Sequence, residues 1–205
     1  TTLFRSPSYR SFVTWLADQD SGAAQRVWRD VMAGFEKPTL VGTPGQTGRR
    51  DVASVRVSAE TTTALTELAR SCHTTVSTVL QGAWAQLLMW ITGQHDVVFG
   101  TAVSGRPTEL IGAESIVGLM INTVPTRANA TSTSTVADLL DQLQRVHNDT
   151  LEYEHLALPQ IHRVTGHDQL FDTLFVYENY PIDAAALLGA HDLAVTEFDS
   201  REFNH

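Results

Sequence analysis

The stretch from Phe99 to Arg127 restricts the possible folds of this chain more than any other, because it joins a strand, a sharp turn and a second strand with polar side chains. Val97–Phe99 is a short apolar run typical of a buried strand, which we expect to stop at Gly100. Ser104-Gly105-Arg106-Pro107 then predicts a turn, since glycine relaxes the backbone and proline fixes φ. A simple core element needs no such combination.

A second strand is predicted within Val117–Arg127, where Asn122 and Thr123 interrupt an apolar run. Hydrogen-bonding side chains are costly inside a protein unless they meet partners or line a channel. We therefore expect this segment to form the wall of a site.

The rest of the chain alternates between helical and strand patterns. Apolar residues at helical spacing predict two helices, within Tyr9–Leu16 and Ala24–Val31, and Gly34 is expected to end the second. Lys37–Arg50 contains two prolines and three glycines, so we expect an extended, mobile connector outside the core.

A strand and two helices are predicted in the middle of the chain. Alternation over Val52–Val57 predicts the strand, and Ser58 is expected to cap the helix that follows. The next helix, Val76–Ile91, is apolar nearly all round. We therefore expect it to be central, with its tryptophans in the core.

The patterns beyond Arg127 continue this alternation. Thr135–Asp138 resembles a capping box that opens a long amphipathic helix. A shorter helix around Leu158–Arg163 and strands at Phe171–Tyr177 and Leu193–Phe198 follow. Together these elements predict a layered α/β sandwich.

Composition excludes several functional classes. With 205 residues, 42% of them apolar, the chain can bury the core of one domain or one large lobe. A formal charge of −9 argues against binding to nucleic acid or to an anionic membrane. The longest apolar runs fall short of the roughly 20 residues that span a bilayer, and we expect a cytoplasmic protein. Cys72 is the only cysteine, so neither a disulfide nor a thiolate metal cluster is expected.

The residues Gly118–Arg127, GLMINTVPTR, resemble the GxFxNTxPxR signature of condensation domains in nonribosomal peptide synthetases. Three more stretches resemble the same family in order and spacing: Tyr9–Trp15, Glu154–Pro159 and Arg163–Pro181. Each stretch is a weak signal alone, but four in sequence order indicate the family.

The resemblance implies an α/β fold, the C-terminal lobe of a chloramphenicol-acetyltransferase-like pair: a two-layer sandwich with a mixed sheet covered by helices. We expect a helical N-terminal segment over residues 1–36, a flexible connector over 37–50 and an α/β core over 51–205. The family's HHxxxDG motif, which supplies the catalytic His, has no match in this sequence. Because that motif lies in the family's N-terminal lobe, we expect Thr1 to begin in mid-domain, the chain to stop within a strand, and this piece alone to be inactive.

The resemblance also implies a reaction and its partners. Condensation domains join a carrier-bound aminoacyl or peptidyl thioester to the amine of a carrier-bound aminoacyl group, which forms an amide. The implied partners are the donor and acceptor peptidyl carrier proteins, the N-terminal lobe and an adjacent adenylation domain. The chain itself is expected to bind no cofactor, since the phosphopantetheine arms belong to the carriers. A lobe-facing surface left uncovered is expected to be apolar, which predicts self-association of the isolated lobe.

Five residues are the expected substrate-channel positions. The resemblance implies that Ser104, Gly105 and Arg106 form a loop beneath the channel, held by paired hydrogen bonds of the Arg; an ordinary turn with a solvated Arg is an equal alternative. Asn122 and Thr123 either bond a substrate carbonyl or satisfy neighbouring backbone groups, and we expect a mixture of both.

Three more positions are expected to serve lobe contacts or the structure itself. Arg127 either stabilises charge or anchors the end of its strand, and the structural role is favoured. Glu178 and Asn179 end a strand ahead of Pro181, which fits a lobe contact better than acid or base catalysis. The motifs as a group look more like condensation of an L-configured donor than like epimerisation or cyclisation.

None of the eight histidines is expected to replace the absent motif. Amide formation needs a group that orients the amine and manages its proton. His147 with Asp172, or His162 with Asp168, can be imagined as dyads, but no nucleophile or metal-ligand spacing accompanies them, and we expect no metal site.

Two other functions stay open. A non-catalytic module that docks carrier proteins, or that closes over a separate lobe, needs no motif His. A stand-alone acyltransferase that uses coenzyme A requires its own catalytic His motif upstream. Amide formation by a complete domain, tested with the motif His changed to Ala, distinguishes catalysis from docking.

Overall fold

The computed structural model describes residues 7–42 and 51–179 of the 205-residue chain. Within these ranges the chain forms α-helices, β-strands and two single turns of 3-10 helix, Ala113–Ser115 and Leu151–Tyr153. The helices are α1 Tyr9–Ala17, α2 Ser21–Val31, α3 Ala59–Ser71, α4 Val76–Thr92, α5 Val136–Thr150 and α6 Leu158–Thr165. The strands are β1 Asp96–Val103, β2 Asn122–Asn129 and β3 Leu174–Phe175.

Local side-chain chemistry fixes the helix starts, and the predicted helices are confirmed. The Ser58 hydroxyl accepts a hydrogen bond from the Thr61 N–H at the start of α3. Thr135 and Asp138 form the predicted capping box of α5, in which each side chain bonds the backbone of the other residue. Gly93, with a φ of 67°, ends α4 in the left-handed conformation that glycine allows.

Among the described residues, β1 is the central strand of a mixed sheet of three strands. It pairs antiparallel with β2 along its whole length and parallel with β3 at two positions. β1 runs through Gly100 to Val103, so the expectation of a strand that stops at Gly100 is wrong. A Cβ on Gly100 would lie 2.6 Å from the Phe171 ring, so the strand passes this point because glycine leaves room for the ring.

Helices cover both faces of this sheet. Successive strand residues point to opposite faces, so Val97 and Phe99 pack against α4 and α5, whereas Val98 packs against α2 and α6. The α2 side contains the fully buried Trp28, whose indole N–H donates to the Tyr153 carbonyl at 3.0 Å. The α/β class with a helix-covered mixed sheet is thus confirmed, with one helical layer more than the two layers predicted.

Thr39 contradicts the expectation that Lys37–Arg50 lies outside the core. Its side chain is fully buried, and its hydroxyl accepts a hydrogen bond from the Val98 N–H at 2.8 Å. The N–H groups of Val41 and Gly42 both donate to the Asp172 carboxylate. These partners are far away in sequence, so composition did not reveal them. Residues 43–50 lie outside the described residues.

Two further expectations are wrong. Val52–Val57 forms no strand, and the side chains of Val52 and Val55 are each 88% exposed. An alternating pattern makes a strand only where a neighbouring strand supplies its hydrogen bonds. Trp90 of α4 is 82% exposed, whereas Trp84 is partly buried against the core. The predicted strand at Leu193–Phe198 lies outside the described residues.

The described helices can also be compared with what a bilayer requires. None of them is both long enough and apolar enough to cross a membrane.

Candidate functional site

The pairing of β1 with β2 brings the two predicted channel segments together. Val103, at the end of β1, lies opposite Asn122, at the start of β2, and Ala102 lies opposite Thr123. The loop that begins with Ser104 therefore leaves the sheet at the edge where β2 enters it. We call this edge, formed by residues 104–106 and 122–123, the rim.

Gly105 is enclosed by backbone within the rim. Its φ of 58° lies in the left-handed region. A Cβ at this position would lie only 1.7 Å from the carbonyl oxygen of Met120. Glycine is therefore required, because the loop packs directly against the segment that leads into β2.

Arg106 holds the same loop from one side. Its Nη1 atom donates hydrogen bonds to the carbonyl oxygens of Ala113 and Ile116, the latter at 3.2 Å. Its backbone N–H approaches the Ser104 hydroxyl oxygen at 3.5 Å. The guanidinium thus bridges two turns of the loop and fixes its shape.

Asn122 connects the rim to the segment that follows α5. Its Nδ2 atom donates to the carbonyl oxygens of Glu154 at 2.7 Å and Leu156 at 2.9 Å. The amide group is therefore engaged by backbone, which corresponds to one of the two alternatives raised by the sequence. Thr123 is partly buried beside it in β2.

Arg127 is tied to three parts of the fold. Its guanidinium makes a two-pronged contact with the Asp96 carboxylate, with N–O distances of 2.9 and 2.7 Å. Nη1 also donates to the carbonyl oxygens of Val31 and Ala33, at and just past the end of α2. The guanidinium carbon lies 5.6 Å from the centre of the Phe35 ring.

Glu178 and Asn179 make none of the hydrogen bonds described for the rim and for Arg127. Both are exposed and follow β3 without regular secondary structure. Tyr180 and Pro181, from the same sequence motif, lie outside the described residues. The structure therefore brings together residues 104–106 and 122–123, whereas Glu178 and Asn179 directly follow Tyr177, which lines the cavity beside the sheet.

A cavity of about 160 Å³ lies next to the rim, between the sheet and the helices α4 and α5. Its floor is the sheet, through Thr101–Val103 and Val124–Thr126. Its remaining wall residues are Ser77, Gln81, Leu143, Val146, His147, Thr150, Glu154 and Tyr177. The cavity therefore combines apolar side chains with hydroxyl, amide, imidazole and carboxyl groups.

His147 and Glu154 are neighbours in this cavity. Nδ1 of His147 lies 3.7 Å from Oε1 of Glu154, too far for a hydrogen bond. Burial raises the pKa of Glu154 to about 7, because a carboxylate loses hydration there. The same cause lowers the pKa of His147. Near neutral pH the carboxyl group can therefore gain or lose a proton.

His147 does not form the imagined dyad with Asp172, whereas His162 does lie near Asp168. His147 faces Glu154, and the Asp172 carboxylate is occupied by the backbone of Val41 and Gly42. Burial lowers the pKa of His162, and the nearby Asp168 acts in the opposite direction. Among the described residues, no three His, Cys, Asp or Glu side chains converge as metal ligands.

The family can be assigned by comparison with known proteins. The model of the condensation-domain family matches residues 1–204 of the chain. The chain belongs to the condensation-domain family. It is 42% identical over 188 residues to chondramide synthase of Chondromyces crocatus, a match that covers 88% of this chain and 5% of that protein. It is 34% identical over 190 residues to bacitracin synthase 3 of Bacillus licheniformis, covering 90% of this chain and 3% of that protein.

The fold agrees with that of solved condensation domains. The first condensation domain of the CDA synthetase superposes with a TM-score of 0.69 at 18% identity, covering 83% of this chain and 38% of that one. This condensation-domain chain thus spans well under half of the solved domain and a small fraction of the synthases.

Glu154 is the residue that sequence reasoning missed. It lies in a stretch that was noted only for its resemblance to the family. The cavity that it lines is built from α4, α5, both long strands and Tyr177, at positions scattered between 77 and 177. No local pattern marks such a position.

Proposed function

We propose that this chain forms one wall of the site at which a condensation domain makes an amide bond. The donor is a carrier-bound aminoacyl or peptidyl thioester, and the acceptor is the amine of a carrier-bound aminoacyl group. The observation that carries the proposal is the rim, in which the loop that begins with Ser104 meets Asn122 and Thr123 of the family signature through the register of β1 and β2. Amide formation of this kind depends on holding two reactants in close, fixed orientation.

The catalytic His is proposed to come from an HHxxxDG motif on an N-terminal lobe that faces the rim. Support comes from the exposed apolar side chains of the loop after β1, which an opposing lobe would cover. They are Ile111, Val117, Leu119 and Ile121. The 38% coverage of a solved condensation domain is consistent with a further lobe.

The rim residues have distinct proposed roles. Gly105 and Arg106 keep the loop beneath the channel in shape, and Ser104 starts it. Asn122 holds the backbone at Glu154 and Leu156, while the Thr123 hydroxyl is the group that we assign to a substrate carbonyl.

The other predicted positions are proposed to work outside the channel. Arg127 anchors β2, and Glu178 and Asn179 contact the opposing lobe. The phosphopantetheine arms of the donor and acceptor carrier proteins bring the substrates, and an adjacent adenylation domain supplies the aminoacyl groups.

Amide formation between two loaded carrier proteins tests the proposal. The condensation domain that contains this chain is incubated with both carriers, and the product is measured by mass spectrometry. We expect product, its loss when the motif His is changed to Ala, and none from the 205-residue chain alone.

Three results would contradict the proposal. Product that is unaffected by the motif His→Ala change would remove the catalytic role of that motif. Carrier binding without any product from the complete domain would instead favour a docking module. Product from the chain alone would show that the site lies elsewhere.

A further inference from the structure

We propose that the cavity beside the rim is a binding subsite for a primary ammonium group, with Glu154 as its counter-ion. The inference rests on the proposed function for its choice of ligand, since an aminoacyl substrate carries an ammonium group at its α-carbon or in its side chain. Nothing in the HHxxxDG chemistry requires such a subsite on this lobe. Three features support it: the carboxylate, the cavity walls and the charge.

The carboxylate of Glu154 lacks a hydrogen-bond donor in the part of the chain that the structure describes. Its side chain is only 16% exposed, and it accepts no hydrogen bond there. The His147 imidazole lies 3.7 Å away, too far for a hydrogen bond. An ionised carboxylate in such surroundings is stabilised by a cation or by donors that a ligand brings.

The walls of the cavity suit an ammonium group. An ammonium offers three N–H donors and therefore needs several acceptors. Hydroxyl oxygens of Thr101 and Thr126 lie 2.7 Å apart on the floor, and Ser77 and Gln81 contribute oxygens from α4. The volume of about 160 Å³ admits a small group rather than a whole phosphopantetheine arm.

The charge of the cavity selects a cation. Its ionisable lining residues within the described ranges are Glu154, His147 from α5 and Tyr177 from beyond β3. The facing residues of α4, β1 and β2 are uncharged, and no described Lys or Arg lines the cavity. Burial disfavours the charged form of His147 and so lowers its pKa, which leaves Glu154 as the charge that a ligand meets. A bound ammonium would in turn favour the ionised carboxylate and lower its pKa.

The test is a titration of the 205-residue chain with three small probes, followed by NMR. Alaninamide carries an α-ammonium, Nα-acetyl-lysinamide carries a side-chain ammonium, and N-acetylalaninamide carries neither. We expect saturable shifts at Glu154 and His147 with at least one of the first two probes and none with the third. The probe that binds more tightly identifies the source of the ammonium.

Two variants and a pH change sharpen the test. Glu154→Gln keeps the size of the side chain, removes its charge, and is expected to weaken binding at least fivefold. Glu152→Gln is the matched control, because Glu152 is exposed two residues away and should leave affinity unchanged within twofold. Affinity is also expected to be at least fivefold weaker at pH 5.5 than at pH 7.5, because Glu154 is then protonated.

A measurement on the unmodified chain keeps the test valid if Glu154→Gln fails to fold. The carboxyl carbon of Glu154 is titrated with pH by NMR, and a saturating ammonium probe is expected to lower its pKa. Equal binding of all three probes, or an unchanged Glu154 titration, would overturn the inference. Neither result bears on amide formation by the complete domain, so the two proposals can fail separately.

Discussion

At the residue scale, Gly105 determines the path of the loop between β1 and β2. An Ala here must keep a φ of 58°, and its methyl group would meet the Met120 carbonyl oxygen. We expect Gly105→Ala to lower the free energy of unfolding by about 3 kcal/mol or more, measured by urea denaturation.

Gly34→Ala is the control for this prediction. Gly34 has a φ of 76°, but a Cβ there would have no described atom within 4 Å. Only backbone strain remains, so a loss of about 1 kcal/mol is expected. Equal losses at both positions would contradict the close approach at Gly105.

Glu154 makes stability depend on pH. Its folded-state pKa of about 7 lies above the reference value of 4.5, so the folded chain holds this proton more tightly than the unfolded chain. The stability that the folded chain gains from holding this proton is therefore complete at pH values below the unfolded-state pKa of Glu154. It is lost as the pH rises through 7. Glu154→Gln, which cannot ionise, is expected to exceed the unmodified chain in stability by about 3 kcal/mol at pH 8 and by about 1 kcal/mol at pH 5.

Unfolding of both proteins at several pH values checks this expectation. Glu152→Gln serves again as the control, because Glu152 is exposed and its removal should not change the pH profile. A difference between Glu154→Gln and the unmodified chain that stays constant with pH would show that Glu154 ionises normally.

Asn122 illustrates how far sequence reasoning reaches at this scale. An Asn within an apolar run indicates a side chain that needs hydrogen-bond partners. It does not indicate which partners, and here they are the carbonyl groups of Glu154 and Leu156, on a segment beyond α5. The requirement for hydrogen-bond partners can be recognised from the local sequence, whereas the partners themselves are distant in sequence.

At the element scale, Arg127 links β2 to β1 and to the end of α2. A Lys cannot reproduce the paired contact with Asp96 together with the bonds to the Val31 and Ala33 carbonyls. We expect Arg127→Lys to lower the free energy of unfolding by about 2 kcal/mol, measured by denaturation.

Arg145 of α5 provides the matched control. It pairs with Asp141 one turn away, and both side chains are largely exposed. Surface pairs of this kind contribute little, so Arg145→Lys should cost less than about 0.5 kcal/mol. A comparable loss for both variants would argue against an anchoring role of Arg127.

Helices were predictable as elements, whereas strands were only partly so. The capping residues Ser58 and Thr135 act within one turn, so the sequence near them contains the whole signal. A strand depends on a partner from elsewhere in the chain. Val52–Val57 has the right alternation but no partner strand among the described residues, while Thr39 has a partner in Phe171 and no pattern that indicates it.

At the scale of the whole molecule, the loop after β1 exposes apolar surface. Ile111 is 93% and Val117 84% exposed. Such surface favours association when nothing covers it. We expect the isolated chain to self-associate at about 100 μM, and the double change Ile111→Gln and Val117→Gln to shift it toward the monomer in sedimentation experiments while leaving its thermal unfolding unchanged.

Thr108→Gln, an exposed change in the same loop, is the control and should leave the sedimentation unaffected. An unmodified chain that is monomeric at this concentration would contradict the prediction. If Thr108→Gln reduced self-association as much as the double change does, the exposed apolar side chains of the loop would not be the cause of the association.

The sequence by itself determined the family, the helices and the two segments that form the rim. Motifs, caps and helical periodicity are local features, and each can be identified without knowing where the rest of the chain lies. The tertiary structure alone decided that Thr39 is core, that Trp90 is exposed and that Glu154 is largely covered beside His147. Burial and pairing depend on residues distant in sequence, and only folding brings these together.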